Sequence, residues 1–403
     1  MDSMRRALQL TCSATLLIMT SAFATSSDTY SSAAATGSSH PLQPPRDATA
    51  IMATFEAAQT PAQSEFDALT LPQLMAKLRV PGLSIAVVKD HKIHWAKGYG
   101  VADAASHRLV DVHTRFQAAS LSKPLAALTA MRLVRNGQLN VDTDINRYLT
   151  TWKVPRSSLT GPQAVTARAL LSHTSGADDG FGFPGYEPGA ALPTVAQILD
   201  GHAPSNVGKV LFTRPPLKTF KYSGGGALVM QQAMMDICRC AFEQLVQRSV
   251  LTPLNMTDSS YTQALDGGNV ALAHDEQGQR KNVPWHQYPE LAAASLWTTP
   301  TDLAKVIIEL QQAESGTGKV LDRQSAMQML TPVGVGRYGM GWVLDVQTHG
   351  VRFSHNGSNW GYRAWMLGHS QGGYGVVIMA NGDNGMALLN QVADRLFNAY
   401  GWQ

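Results

Sequence analysis

The chain has 403 residues, of which 44% are hydrophobic and 15% are charged, and its formal net charge is only +3. This composition is typical of a globular protein with a sizeable core, in one large or two ordinary domains. Because the net charge is small and lysine and arginine are not clustered, the sequence does not indicate binding to nucleic acid or to a membrane surface.

The first 24 residues have the features of a secretory signal peptide in the expected order. Arg5 and Arg6 precede a largely apolar run that is too short to span a membrane, and Ala22-Phe23-Ala24 follows as a small-residue cleavage site. The paired arginines leave both the general and the twin-arginine export routes open. We therefore expect a periplasmic or secreted protein whose mature chain has no stable membrane span.

Residues 25–50 are rich in Ser, Ala, Thr and Pro and lack apolar periodicity, which predicts a disordered linker before a folded domain over residues 51–403. That domain begins with a predicted hairpin, formed by the β-rich runs 83–88 and 93–100. A helix is predicted from Ser120 to Gly137, the region 165–251 is mostly helix and loop, and a capped helix follows over residues 299–313.

Further strands are predicted in the last part of the chain, followed by a C-terminal amphipathic helix over about residues 387–400. The predicted strands cover residues 341–346, 351–354, 362–367 and 374–380. Strands at both ends with helices between them indicate an α/β (α+β) fold. We expect one antiparallel sheet formed from the N- and C-terminal segments, with flanking helices and an inserted, mostly helical region.

A serine and a lysine lie three residues apart at the predicted start of the first long helix. Pro124 is compatible with the first turn of a helix, where the backbone amide has no hydrogen-bond partner to lose. Because Ser120 and Lys123 are three residues apart on this helix, they share one helical face. A serine hydroxyl becomes a good nucleophile only when a base takes its proton, and a suitably placed lysine can be that base. Such short matches also arise by chance, and alone the pair equally fits an ordinary first turn with a solvated lysine.

Three later segments are candidates to complete a site around Ser120. Tyr222 precedes a glycine-rich loop that leads into a helix, residues 354–359 lie between two predicted strands, and residues 170–176 include a histidine. Each also has an ordinary interpretation: a loop tyrosine, a hairpin glycine and a histidine whose partners are backbone groups. Their significance lies in their combination and their order along the chain.

Taken together, these segments resemble the serine β-lactamase and penicillin-binding protein superfamily, specifically its class C-like branch. The resemblance runs from about Pro81 to Asn384. The matching segments are Pro81-Gly82-Leu83-Ser84, Ser120-Leu121-Ser122-Lys123, residues 170–176, Tyr222-Ser223-Gly224, and residues 253–257, 297–304, 338–342 and 355–358. Several ordered motifs are far more specific than any one of them.

The resemblance implies a class C β-lactamase-like fold and a serine hydrolase that works through an acyl-enzyme on Ser120, with Lys123 and Tyr222 relaying its proton. It implies a small-molecule or peptide substrate, either an ester or a D-amino-acid peptide or amide, and no cofactor. The alternatives are a class C-type β-lactamase or D-Ala-D-Ala carboxypeptidase, and a non-catalytic relative that binds cell-wall peptides. For residues 170–176 only a structural role is implied.

The resemblance also implies which residues bind substrate. The strand with His355 and Gly357 would line the site, and the backbone NH groups of Ser120 and Ser358 would form the oxyanion hole. Two departures bear on the substrate. Gly224 replaces an asparagine that would bind a substrate amide, and His355 replaces a lysine, although an imidazole of pKa about 6.5 is a poorer cation for a carboxylate. Both departures favour an ester over a lactam.

A competing motif lies near the C-terminus, where Gly368-His369-Ser370-Gln371-Gly372 fits the nucleophile elbow of α/β-hydrolases. That elbow requires a helix after the serine, whereas residues 374–380 predict a strand, and no histidine follows Ser370 to complete a triad. We therefore interpret this segment as a hairpin turn.

Metal chemistry has little support in the sequence. None of the twelve histidines falls in an H-E-x-x-H pattern, so we expect no metal. The expected mature chain keeps two cysteines, Cys238 and Cys240, a spacing too close for easy disulfide geometry and without partners for a zinc site. We expect them to be structural thiols or a strained local bridge.

Overall fold

The computed structural model describes residues 48–178, 182–263 and 268–402. The predicted signal peptide and all but the last three residues of the predicted linker lie outside these ranges. The described chain begins with helix α1 (Ala48–Glu56), three residues ahead of the expected start of the folded domain.

A seven-stranded antiparallel sheet forms the centre of the described structure. The described chain has these strands, seven of which belong to the main sheet: β1 (Gly82–Lys89), β2 (Lys92–Asp103), β3 (Arg108–Leu109), β4 (Phe116–Gln117), β5 (Ala177–Asp178), β6 (Leu211–Phe212), β7 (Trp297–Thr298), β8 (Val343–Val346), β9 (Val351–Asn359), β10 (Tyr362–His369) and β11 (Gly375–Ala380). Their order in the main sheet is β3-β2-β1-β11-β10-β9-β8, while β4 pairs with β7 and β5 with β6. Because β1 pairs with β11, the sheet joins both ends of the chain, which confirms the predicted fold.

The N-terminal hairpin turns at Asp90 and His91, both of which have the positive φ angles that a two-residue hairpin turn of type I′ requires. Helices cover both faces of β1, so its residues from Gly82 to Val88 are all buried. Leu83, Ile85 and Val87 pack in the core on one face. Ala86 and Val88 on the opposite face belong to the larger core that contains the inserted helices.

The helices that follow α1 are α2 (Leu71–Lys77), α3 (Ser122–Arg135), α4 (Ala167–Leu171), α5 (Val195–Asp200), α6 (Gly224–Cys238), α7 (Phe242–Val246), α8 (Leu291–Ala294), α9 (Pro300–Glu314), α10 (Arg323–Met329) and α11 (Gly385–Tyr400). Short 3-10 turns cover Ala119–Leu121 and Ile145–Arg147, and a π-helical turn covers Gln247–Leu251. Helix α9 begins as predicted, with Pro300 in its first turn and the Thr299 side chain accepting a hydrogen bond from the Asp302 amide.

One expectation from the sequence is wrong. Residues 354–359 lie within β9 and not between two strands, because the inward-facing His355, Gly357 and Asn359 are too polar or too small to show an apolar alternation.

Of the two alternatives expected for Cys238 and Cys240, structural thiols or a local bridge, the structure has the bridge. The left-handed conformation of the intervening Arg239 turns the chain so that the two Cα atoms lie 5.2 Å apart, within the usual range for a disulfide.

Candidate active site

Ser120 lies in the 3-10 turn that leads directly into α3, and Lys123 lies in the first turn of that helix. The Lys123 ammonium donates a hydrogen bond to Ser120 Oγ over 3.0 Å and a second to the Ala293 carbonyl over 2.9 Å. Only 6% of Lys123 is exposed. The two predicted residues are therefore in direct contact, and the lysine amine is shielded from bulk water.

The backbone around Ser120 is held in an unusual conformation. Ala119 has a φ of +51°, a left-handed conformation that costs free energy in a residue with a Cβ atom and that persists only where the surrounding structure holds it. The turn is held by Ser122, whose hydroxyl donates to the Ala119 carbonyl over 2.6 Å and accepts from the Leu296 amide over 3.1 Å. The segment that leads into this turn is held in place because β4 pairs with β7.

Tyr222 approaches from the loop just before α6, and the Lys123 ammonium lies 4.9 Å from the centroid of its ring. The loop is ordered by Ser223, which caps α6 by accepting a hydrogen bond from the Gly226 amide over 2.8 Å. Lys123 thus contacts both the Ser120 hydroxyl and the Tyr222 ring. The role of the Tyr222 hydroxyl in a proton relay with these two side chains stays a prediction.

His355 lies on β9 with its ring centroid 6.2 Å from that of Tyr222. Its Nδ1 is 2.6 Å from the carbonyl oxygen of Asn356, and because a carbonyl only accepts, Nδ1 carries the hydrogen. Burial, with the positive charge of Lys123 as a second cause, lowers the pKa of His355 to about 3. The imidazole is therefore neutral at physiological pH and cannot act as a cation for a substrate carboxylate.

Gly357 brings β9 into contact with the turn that carries Ser120. A Cβ atom at this position would lie 2.4 Å from the Ala118 carbonyl oxygen and 3.1 Å from the Ser120 nitrogen, so no larger residue fits without displacing the strand. Ser358 follows on β9 with its side chain exposed, paired in register with Arg363. The participation of the Ser358 backbone NH in an oxyanion hole stays a prediction.

Two site residues received no chemical role from the sequence. The His173 ring packs on that of Tyr222 with centroids 4.2 Å apart, and its Nδ1 accepts a hydrogen bond from the Ser223 amide over 3.1 Å. Tyr338 also packs against His173, edge to face, with ring centroids 4.8 Å apart. Both residues belong to segments that carry the family resemblance, residues 170–176 and 338–342. Position within these motifs was the signal that could have identified them.

A small apolar cavity of about 10 Å³ lies beneath the lysine amine. It is lined by Lys123, Ala126, Leu170, Leu171, His173, Ala227, Met230, Ala292 and Gly341. Burial also lowers the pKa of His173 well below its usual value, with the Lys123 charge as a further cause. The inner side of the site is thus an apolar environment in which Lys123 is next to two neutral imidazoles.

The competing motif at Ser370 lies in the turn between β10 and β11. Its hydroxyl accepts a hydrogen bond from the Val351 amide over 3.0 Å, only 2% of the residue is exposed, and strand β11 follows. This confirms the prediction of a hairpin turn.

In the described ranges, no three His, Cys, Asp or Glu side chains are grouped as a metal site would require. Nor do those ranges include a helix of the length and hydrophobicity that membrane crossing needs.

Comparison with known proteins gives the same family. The family model described as Beta-lactamase matches residues 68–400. Protein flp of Staphylococcus aureus (strain N315) is 24% identical over 318 residues, covering 76% of this chain and 61% of the relative. The chain thus spans about three fifths of the length of this relative.

Solved structures of similar fold include two of known chemical class. EstCE1, a hydrolase with promiscuous acyltransferase activity, superposes with a TM-score of 0.66 at 18% identity, covering 81% of this chain and 96% of that protein. The D-alanine carboxypeptidase AmpC of Burkholderia cenocepacia gives a TM-score of 0.65 at 16% identity, covering 88% of this chain and 100% of that protein. At these identities the similarity shows the fold alone.

Proposed function

Because the chain belongs to the Beta-lactamase family of serine hydrolases, we propose that it is itself such a hydrolase and forms an acyl-enzyme on Ser120. The observation that carries the proposal is the 3.0 Å hydrogen bond between the Lys123 ammonium and Ser120 Oγ, in a turn whose backbone is held in a left-handed conformation. Among the described serines, this one has a lysine and a tyrosine beside it in the family's order.

The proposed reaction has two halves. Ser120 Oγ attacks the acyl carbon while its proton passes to the Lys123 and Tyr222 pair, and the same proton then leaves with the departing alcohol or amine. Water next attacks the acyl-enzyme, gives its proton to the same pair and releases the acid, which restores the Ser120 hydroxyl. The backbone NH groups of Ser120 and Ser358 are the proposed donors to the oxyanion in both halves.

For the substrate we propose short acyl esters ahead of lactams and D-amino-acid peptides or amides. A lactam or D-Ala-D-Ala substrate presents an amide and a carboxylate. Gly224 has no side-chain amide for the first, and the buried, neutral His355 provides no cation for the second. An activated ester needs neither contact, because its better leaving group lowers the demand for protonation and positioning.

We further propose that the enzyme acts outside the cytoplasm, after removal of residues 1–24. The order of charged, apolar and small residues at the N-terminus supports export. The disulfide between Cys238 and Cys240 gives a second, independent support, since such bonds persist mainly in oxidising compartments.

The test is to measure kcat/KM for a chromogenic ester, a chromogenic cephalosporin and a D-Ala-D-Ala peptide with the same purified protein. We expect the ester to be turned over fastest and expect Ser120→Ala to abolish that turnover. The double variant Gly224→Asn with His355→Lys should shift the preference toward the cephalosporin, by up to a few kcal/mol of transition-state binding if both new contacts form. A wild-type enzyme that already prefers the cephalosporin by a wide margin would instead be a β-lactamase.

A further inference from the structure

The rings of His173, Tyr222, Tyr338 and His355 form a four-ring cluster in the site, and Phe220 packs against two of them, His173 and Tyr338. His173 packs against Tyr222 and Tyr338, with centroid distances of 4.2 and 4.8 Å, and His355 borders both tyrosines at 6.2 Å. Tyr338 meets His355 edge to face, with an interplanar angle of 90°. The proposed reaction uses Tyr222 but gives no role to the Tyr338 hydroxyl.

Two polar atoms of this cluster are buried without a hydrogen-bond partner in the described structure: Nε2 of His355 and the hydroxyl of Tyr338. Their residues are only 3% and 4% exposed. Since Nδ1 of His355 donates to the Asn356 carbonyl, Nε2 of the neutral ring is an acceptor. The Tyr338 hydroxyl is a donor, and leaving both unpaired in a buried site costs free energy.

The charge state of His355 matters to its neighbours. The Lys123 ammonium lies close enough to affect the charge of His355, and an imidazolium at His355 would repel it. The titratable groups around His355 are Lys123 from α3, Tyr222 from the loop before α6, His173 from the segment after α4, and Tyr338. Keeping His355 neutral therefore keeps the proton relay available.

We propose that Tyr338 is a positioning residue whose hydroxyl, after a small shift of the rings, donates to Nε2 of His355 with or without substrate bound and so holds the imidazole neutral and oriented beside Tyr222. A donor at Nε2 stabilises the neutral ring, because that nitrogen must lose its lone pair when the ring is protonated. The inference rests on the proposed function for its kinetic consequence. The predicted state of the His355 ring does not require turnover.

The test compares Tyr338→Phe with Tyr261→Phe. Tyr261 is a matched control because its hydroxyl is also buried and has no partner among the described residues, but its ring packs on Phe242 outside the four-ring cluster. We expect Tyr338→Phe to lower kcat/KM for an ester about fivefold near pH 3, close to the pKa of His355, and to move the acid limb of the pH profile upward. Tyr261→Phe should retain the wild-type profile.

A ring titration of His355 by NMR, assigned with His355→Gln, provides the second readout. We expect the ring to protonate at higher pH in Tyr338→Phe than in the wild type, and unchanged behaviour in Tyr261→Phe. If the pH profile and the His355 titration of Tyr338→Phe coincide with those of the wild type, the inference is overturned. A shifted titration in a protein that hydrolyses no substrate would support the Tyr338 contact and refute the proposed function.

Discussion

Gly357 shows how strongly single residues constrain this site. The position faces Ala118 and Ser120 so closely that even a methyl group would lie 2.4 Å from a carbonyl oxygen. Ala118 itself is fixed by a hydrogen bond from its amide to the Leu296 carbonyl over 2.8 Å, so the turn cannot easily move away. A change at Gly357 must therefore displace β9 from Ser120.

We predict that Gly357→Ala lowers kcat at least a hundredfold, since a displacement of about 1 Å in a catalytic arrangement costs roughly that factor. The measurement is kcat on an ester together with the thermal midpoint of unfolding. Gly208→Ala is the control, because a Cβ atom there meets no other atom within 4 Å and should leave both quantities unchanged. Full activity in Gly357→Ala would mean that β9 does not border the reacting centre.

At the residue scale, the sequence predicted Ser120, Lys123, Tyr222, His355 and Gly357, and the structure places them together. No local pattern in the sequence indicated the contact between His173 and Tyr222. That contact depends on the His173 ring accepting a hydrogen bond from the Ser223 amide, fifty residues away. Local patterns contain no information on such a pairing, and only membership of a known motif indicates it.

At the scale of elements, the four-residue helix α8 is the most consequential one that the sequence missed. Its Ala293 carbonyl accepts from Lys123 and its Ala294 carbonyl accepts from the Asn359 side chain on β9. A helix this short is not stable by itself. It is held by Gln231 of α6, whose side-chain oxygen accepts from the Ala292 amide over 2.9 Å. Longer elements with their own caps or turns, such as α9 and the β1–β2 hairpin, were predictable.

Helix α8 begins after Glu290, which is fully buried and has both carboxyl oxygens unpaired among the described residues. Burial raises the pKa of Glu290 from its usual 4.5 to about 7. Between those pH values the folded state holds a proton that the unfolded state has lost. Stability therefore falls as pH rises from 4.5 toward 7, and the loss is complete above that pH.

We predict that Glu290→Gln raises the free energy of unfolding at pH 8 by up to about 3 kcal/mol and changes it little at pH 4.5. Denaturant unfolding of both proteins at the two pH values measures this. Glu309→Gln is the contrast, because the Glu309 carboxylate accepts three backbone NH hydrogen bonds and its loss should destabilise the protein. Equal stability changes for Glu290→Gln at both pH values would contradict the buried, titrating carboxyl.

At the scale of the whole molecule, the sheet connects distant parts of the chain into one support for the site. Strand β9 carries His355 and Gly357, and β10 links it to β11, which pairs with β1 near the start of the domain. Alternating strands at both ends predicted this closure because an antiparallel sheet buries their apolar residues together. The register between β9 and the turn at Ser120 was not predictable, since it results from packing and not from a local pattern.

Ser120 is the proposed nucleophile, and covalent labelling is the most direct test of that assignment. A fluorophosphonate probe reacts with an activated serine, and the modified peptide is located by mass spectrometry. We predict a single label on Ser120, no label on the Ser120→Ala variant, and unchanged labelling of Ser370→Ala. A label on Ser370, or equal labelling of the wild type and Ser120→Ala, would contradict the account.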